Sequence, residues 1–280
     1  MKYSVYIMDS KPFEQADVYE KSLELVSEYR KSKVQRLRRK EDKAASLAAG
    51  SLLAYAFREY AGIDERQVIY TKNRSGKPMI IDNYDEQFGL GQDAAGVDSM
   101  CAAKYRNMDA DIQFSLSHTE GCVAVVVGMG KCGIDVERVR RIPESIVNRL
   151  YSDEDSEMIR YIEKQGNKAD IFSTTVWTRR EAYGKMTGTG ILMSDVDQKM
   201  VMQDKYMLKN AAKIISLGIQ RCEGDILKMS KEHLTECSPD VWLTKSNAPY
   251  SYVYSVCIDS QVLAMKERII SYQDVITELS

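Results

Sequence analysis

CVAVVVGMGKCGIDVE, residues 122 to 137, is the stretch on which the reading of the chain turns. Its first seven residues are apolar and rich in β-branched valine, which predicts a buried strand. GMGKCG, residues 128 to 133, is a tight loop. It lacks the spacing and the following helix of a dinucleotide-binding fingerprint. GIDVE then predicts a second strand. Side chains alternate across a strand, so Asp135 and Glu137 share one face. Two carboxylates held together in an apolar setting repel each other, and a divalent cation such as Mg2+, which prefers hard oxygen ligands, relieves the repulsion. From these residues alone, both acids could equally face water.

Working outward, FSLSH (114 to 118) alternates Phe114 and Leu116 against Ser115 and Ser117, and His118 follows before a T-E-G turn. With CVAVVVG it forms a predicted hairpin. A histidine at such a turn can donate to a phosphate or have no task at all. Downstream, ADIFSTTVWTRREAYGKMTGTGI begins at Ala169. Phe172, Val176, Trp177 and Tyr183 recur at helical spacing, with Gly188 and Gly190 as the stop. Trp177, Glu181 and Lys185 are successively four apart and share one helix face. Taken alone, Glu181 and Lys185 read equally well as a surface ion pair beside a core tryptophan.

Upstream, residues 2 to 8 read as a strand, and about Phe13 to Arg30 as a helix. KSKVQRLRRKEDK (31 to 43) carries seven basic and two acidic residues. That is either a solvated helix face or a phosphate-facing patch. AASLAAGSLLAYAF then predicts a central buried helix ending near Phe57. Gly76 and Pro78 mark a turn between two strands, with Lys77 at its tip. Residues 83 to 110 read as a long polar excursion. Beyond GIDVE, Pro143 opens a short helix and Asp153 is the expected N-cap of the next. Strands and turns are expected from about 206 to 259, with SYVYSVCID the clearest, and a helical tail from Gln261.

The chain has 280 residues, 44% hydrophobic and 29% charged, with net charge −2. That suits one large or two small globular domains and gives no global basic excess for nucleic acid. No apolar run approaches a membrane span, and no signal-peptide core precedes the first strand. Six scattered cysteines with no CxxC pair read as reduced thiols in a cytoplasmic protein. With only His118 and His233 present, a histidine-rich metal site is excluded. Each half offers long helices followed by strand-rich sequence, which suits an α+β fold of two similar halves joined near residue 131.

FSLSH, GIDVE and W-T-R-R-E-A-Y-G-K, in that order, resemble the Sfp-type 4'-phosphopantetheinyl transferases. K-E-D at 40 to 42 and GKP at 76 to 78 add to the similarity, which spreads from about Arg30 to Gly190. The resemblance implies a pseudo-dimer of two α+β halves, 1–131 and 132–280, with the active site in the cleft between them. It implies an enzyme that transfers the phosphopantetheine arm of coenzyme A to a serine of an acyl or peptidyl carrier protein, releasing adenosine 3',5'-bisphosphate. Asp135, Glu137 and Glu181 would hold Mg2+, and Glu181 or a metal-bound water would take the serine proton. Lys185 would pair with phosphate in the transition state. Ser117, His118, Lys77 and Pro78 match coenzyme A contacts, as do Arg30 and Lys33 less securely. Met186 to about Met193 would border the carrier protein.

The chain departs from the family pattern at Arg180, where lysine is usual, at Thr119, where serine is common, and at Ala45, where an arginine often follows K-E-D. Residues 83 to 110 look like an insertion relative to compact members. The resemblance implies a monomer with no nucleic-acid or membrane partner, and the pathway served is open among fatty-acid, polyketide and nonribosomal-peptide carriers. Three other readings make different expectations. An RNA-binding protein using the 31 to 43 patch would be indifferent to Asp135. A phosphohydrolase would release adenosine bisphosphate without a carrier. A catalytically idle module would bind coenzyme A or carrier without turnover.

Overall fold

The computed structural model describes residues 2–73, 76–80, 112–164, 166, 169–191, 212–222, 226–230, 251–259 and 264–280. The excursion at 83 to 110 and the part beyond residue 191 of the stretch expected to border a carrier protein lie outside them. Helices and sheets are mixed as an α+β fold.

Strand β1 (Lys2–Asp9) lies at the heart of a four-stranded sheet. It runs antiparallel to β5 (Cys122–Gly128), which pairs in turn with β4 (Gln113–Thr119), so the FSLSH hairpin forms as expected. Its other neighbour is β10 (Ala264–Ile270), in parallel register from Lys2↔Ala264 to Met8↔Ile270. The expected helical tail from Gln261 is thus corrected: a strand comes first and only α7 (Tyr272–Leu279) is helical. A parallel partner distant in sequence leaves no local signal, and MKERI is too polar to read as a buried strand.

Both faces of this first sheet are covered. On one, Tyr6, Met8, Val123, Val125 and Val127 pack beneath α3 (Lys40–Ala61). That helix is buried from Ser46 to Phe57, as its apolar girdle predicted, and ends at Gly62 in the left-handed conformation. On the other, Tyr3, Val5, Ile7, Ala124 and Val126 meet a second sheet through Ile134, Val136, Tyr254 and Val256. Burial on both faces is why CVAVVVG is apolar throughout instead of alternating.

The second sheet has the order β6-β9-β7-β8, from β6 (Cys132–Arg138), β9 (Ser251–Asp259), β7 (Ala212–Cys222) and β8 (Ile226–Ser230), all antiparallel. Its outer face carries α5 (Asp153–Lys164) and α6 (Asp170–Thr187), with Val253 packed against Ile162 and Ala169. The layers therefore run helix, sheet, sheet, helix. Edge strands β4 and β6 lie side by side at the seam, joined by side chains: Ser115 Oγ accepts from Ile134 N at 3.2 Å.

Two helix starts differ from expectation. The single helix from Phe13 to Arg30 is interrupted: α1 (Ala16–Glu24) stops and α2 (Glu28–Gln35) begins anew, capped by the Ser27 hydroxyl, which accepts from Arg30 N. For α5 the capping hydroxyl is that of Ser152, which accepts from Asp155 N, not the carboxylate of Asp153. Short α4 (Glu144–Leu150) follows Pro143. Strands β2 (Tyr70–Lys72) and β3 (Pro78–Ile80) form the expected small hairpin, with Gly76 at φ 84° in its turn. Cys122, Cys132 and Cys257 are buried thiols in no disulfide. Among the described residues no helix is long and apolar enough to cross a membrane.

Candidate functional site

The site lies along the seam between β4 and β6, under α6. Gly133 permits it. A Cβ there would stand 2.0 Å from Ala182 O and 2.5 Å from Met186 N, so only glycine lets the helix backbone rest on the strand. That contact brings the Trp177–Glu181–Lys185 face of α6 over the Asp135–Glu137 face of β6.

Asp135 is buried, at 4% exposure. Its Oδ1 accepts from Lys185 Nζ at 2.7 Å and from Ser117 Oγ at 2.8 Å, and the lysine also donates to Ser117 Oγ at 3.0 Å. Its Oδ2 is buried with no partner. Burial pushes the Asp135 carboxyl above its ordinary range, opposed by Lys185 and Ser117. Glu137 and Glu181 are also pushed up, first by burial and then by repulsion from Asp135. The charge of Asp135 is thus felt by both glutamates. Glu137 accepts from the Trp177 indole and, at 3.5 Å, from Thr119 Oγ1.

The chemistry of this donor set fits a hard divalent cation: Asp135, with an orphaned buried oxygen, repels two neighbouring glutamates. They do not form a closed cage. Among the described residues no three His, Cys, Asp or Glu side chains are drawn close enough to hold an ion, and the Lys185 ammonium lies on Asp135.

Ser117 and His118 are neighbours in sequence but face opposite sides of β4, as a strand dictates. Ser117 meets the carboxylates. His118 turns to the α2–α3 side, still exposed to solvent, where partial desolvation and then Lys33, Lys185 and Arg30 lower its pKa. Lys33, also exposed, is likewise pushed down by partial desolvation and then by Arg30 and Lys72. Lowering by neighbouring cations marks positive groups gathered without enough local counter-charge. Arg30 is 2% exposed, with its Nε unpartnered. A Cβ on Gly50 would stand 2.6 Å from its Cγ, so glycine on α3 makes room for its stem. Lys77 reaches across the seam to donate to Cys132 O at 3.0 Å, and Pro78 follows it at the start of β3. Burial lowers the Lys77 pKa, with Lys185 a minor contributor.

The structure therefore brings Arg30, Lys33, Lys77, Pro78, Ser117, His118, Asp135, Glu137, Glu181 and Lys185 into one continuous region, basic at α2 and acidic under α6. Arg180 sits apart from it, fully buried near Asp155 and Tyr151. The sequence reading missed Lys72 and the hydrogen bond from Trp177. Lys72 stands opposite Pro78 in the β2–β3 register, so the hairpin itself was the available signal. Trp177 carries its signal in the four-residue spacing to Glu181.

A family model described as the 4'-phosphopantetheinyl transferase superfamily matches residues 131–221, which include GIDVE and the α6 motif. Among curated proteins, the chain is 24% identical over 191 residues to the 4'-phosphopantetheinyl transferase pptA of Paxillus involutus, covering 62% of this chain and 64% of that protein. It is 21% identical to psf-1 of Bacillus pumilus, covering 59% of each, and 21% identical to gsp of Aneurinibacillus migulanus, covering 54% of this chain and 51% of that one; both bear the same description. The matches span less than two thirds of each relative's length. On these matches, the chain is similar to the 4'-phosphopantetheinyl transferases, as its FSLSH, GIDVE and W-T-R-R-E-A-Y-G-K motifs indicate.

Proposed function

We propose that this chain is a 4'-phosphopantetheinyl transferase that moves the phosphopantetheine arm of coenzyme A onto a carrier-protein serine. One observation carries the reading: a cluster of cations on α2, β2 and β4 adjoins a group of three carboxylates across Lys185. Coenzyme A has that polarity problem, with three phosphates to hold and one pyrophosphate to cleave. In this reading the two sheets with their helices are the two halves of a pseudo-dimer, with β10 and α7 joining the first half instead of the expected 132–280 half, and the seam is the active-site cleft.

Arg30, Lys33, Lys72 and His118 neutralise the nucleotide's phosphates. Lys77 and Pro78 border the nucleotide. Asp135, Glu137 and Glu181 would hold Mg2+, which offsets the charge that builds on phosphoryl oxygens. Lys185 shifts from Asp135 toward the pyrophosphate, where an ammonium stabilises developing charge. Glu181, its pKa raised by burial and by Asp135, is the chain's own candidate to accept the serine proton. The serine oxygen forms a bond to the phosphorus bearing pantetheine. The bridging P–O bond breaks, and adenosine 3',5'-bisphosphate leaves with the electron pair.

Intact-mass spectrometry of an apo carrier protein with coenzyme A and Mg2+ tests this. A gain of one phosphopantetheine unit, lost with EDTA, is expected. No gain across several acyl and peptidyl carriers, with a folded protein that binds coenzyme A, overturns the reading in favour of an idle module. Release of adenosine bisphosphate without a carrier favours a phosphohydrolase.

His118 gives a pH prediction. Its charged form is disfavoured in the folded protein, so its contribution to stability is present above the unfolded value of about 6.5 and lost as pH falls through the lowered folded value. A phosphate favours the imidazolium and reverses the shift. Coenzyme A binding near about pH 6 is therefore expected to take up a proton. Calorimetry in buffers of different ionisation enthalpy measures the uptake, and His118→Gln should remove it.

A further inference from the structure

Beneath the basic cluster lies a carboxylate that the reaction does not use. Glu65 is 1% exposed and stands in the short 3-10 turn Glu65–Gln67 that follows α3. It accepts from Ser27 N at 2.8 Å, from Ser27 Oγ at 2.8 Å and from Tyr70 Oη at 2.7 Å. Ser27 is the N-cap of α2, and its hydroxyl also accepts from Arg30 N at 3.3 Å. By taking the hydroxyl hydrogen, Glu65 leaves the oxygen's lone pairs for Arg30 N. The cap is thereby fixed in direction as well as place.

Tyr70 carries the brace to the other basic elements. Its ring stacks on Tyr29, centroids 5.0 Å apart, and meets the edge of Phe114 at 5.9 Å. Tyr29 precedes Arg30 on α2. Tyr70 lies two residues before Lys72 on β2, and Phe114 four before His118 on β4. One buried carboxylate thus ties together the three elements that bring Arg30, Lys33, Lys72 and His118 to a common point.

We propose that Glu65 is the positioning residue of the anion-binding corner, holding α2 and β2 so that their cations converge on the phosphates of the nucleotide. The inference rests on the coenzyme A reading above. Cations that repel one another do not converge unaided, and a brace set before the ligand arrives spares the ligand that ordering cost. Glutamine at this position keeps the shape but offers one oxygen and an NH2 to three donors, so at least one N–H or O–H loses its acceptor.

The test compares wild type, Glu65→Gln and the milder Tyr70→Phe in the full chain. Hydrogen exchange reads α2 without any ligand. The amides from Arg30 to Lys33 are expected to lose protection in Glu65→Gln while β5 and α6 keep theirs. Calorimetry with coenzyme A is expected to show affinity about tenfold weaker in Glu65→Gln and about threefold weaker in Tyr70→Phe. In the transfer assay the coenzyme A KM should rise, with kcat and the carrier KM near wild type. Unchanged α2 exchange in a folded Glu65→Gln overturns the proposal. So does loosened α2 with wild-type coenzyme A affinity, because the brace then serves no ligand. If wild type itself binds no coenzyme A, the functional reading falls, and an exchange difference marks Glu65 as a structural brace only.

Discussion

Asp135→Asn is expected to slow carrier modification at least about 10³-fold while leaving the protein folded, with a thermal midpoint equal to or above wild type. The amide keeps the shape and can still accept from Ser117 and Lys185 at one oxygen. It removes the charge on which the proposed metal site depends. The sign of the stability effect follows from the carboxyl's raised pKa. Burial disfavours the ionised form in the folded state, so ionisation costs stability as pH rises from the ordinary aspartate value toward the folded one. A neutral side chain escapes that cost at neutral pH. Intact-mass rates and thermal melts give both numbers. A rate within about tenfold of wild type would remove Asp135 from the proposed chemistry.

Gly133→Ala is the second large effect, and it works through geometry alone. The added methyl would meet Ala182 O at 2.0 Å and Met186 N at 2.5 Å, both helix backbone, which no rotamer change can move aside. Either β6 or α6 must shift. Overpacking of this kind costs about 3 kcal/mol. Because Ala182 follows Glu181 and Met186 follows Lys185, the displacement falls on the proposed catalytic face. A misplacement of about 1 Å there is expected to cut turnover about 10²-fold. Denaturant titration and the transfer assay measure the two effects. Wild-type stability together with wild-type rate would show that the strand and helix have slack that their contact distances deny.

Asp135 was legible in GIDVE because its demand is local, whereas that of Gly133 is set by the α6 backbone at Ala182 and Met186 and leaves no local signal. A strand fixes which side chains share a face, and a helix fixes that Trp177, Glu181 and Lys185 do. The buried character of α3 was equally plain, since its apolar residues encircle the helix. What escaped the sequence depends on partners far along the chain. The break between α1 and α2 occurs at Ser27, whose carboxylate partner Glu65 lies 38 residues away. Strand β10 escaped because its partner is β1, and its own residues alternate too weakly. Lys72 gives no signal of its own, because lysine in a short strand looks solvated until the hairpin sets it opposite Pro78. Trp177 looked like core because nothing in its spacing reveals a hydrogen bond to Glu137.

The parallel pairing of β10 with β1 also bears on how the molecule assembles. During synthesis, β1, the β4–β5 hairpin and α3 can gather while β10 is still unmade. Until it arrives, β1 presents an open edge of unpaired backbone, the kind of surface that recruits strands from other molecules. Closing that edge joins residues more than 250 positions apart in register, and such distant contacts form slowly. Truncation before residue 264 should therefore be felt first as aggregation of nascent or refolding chains, with the site residues themselves intact.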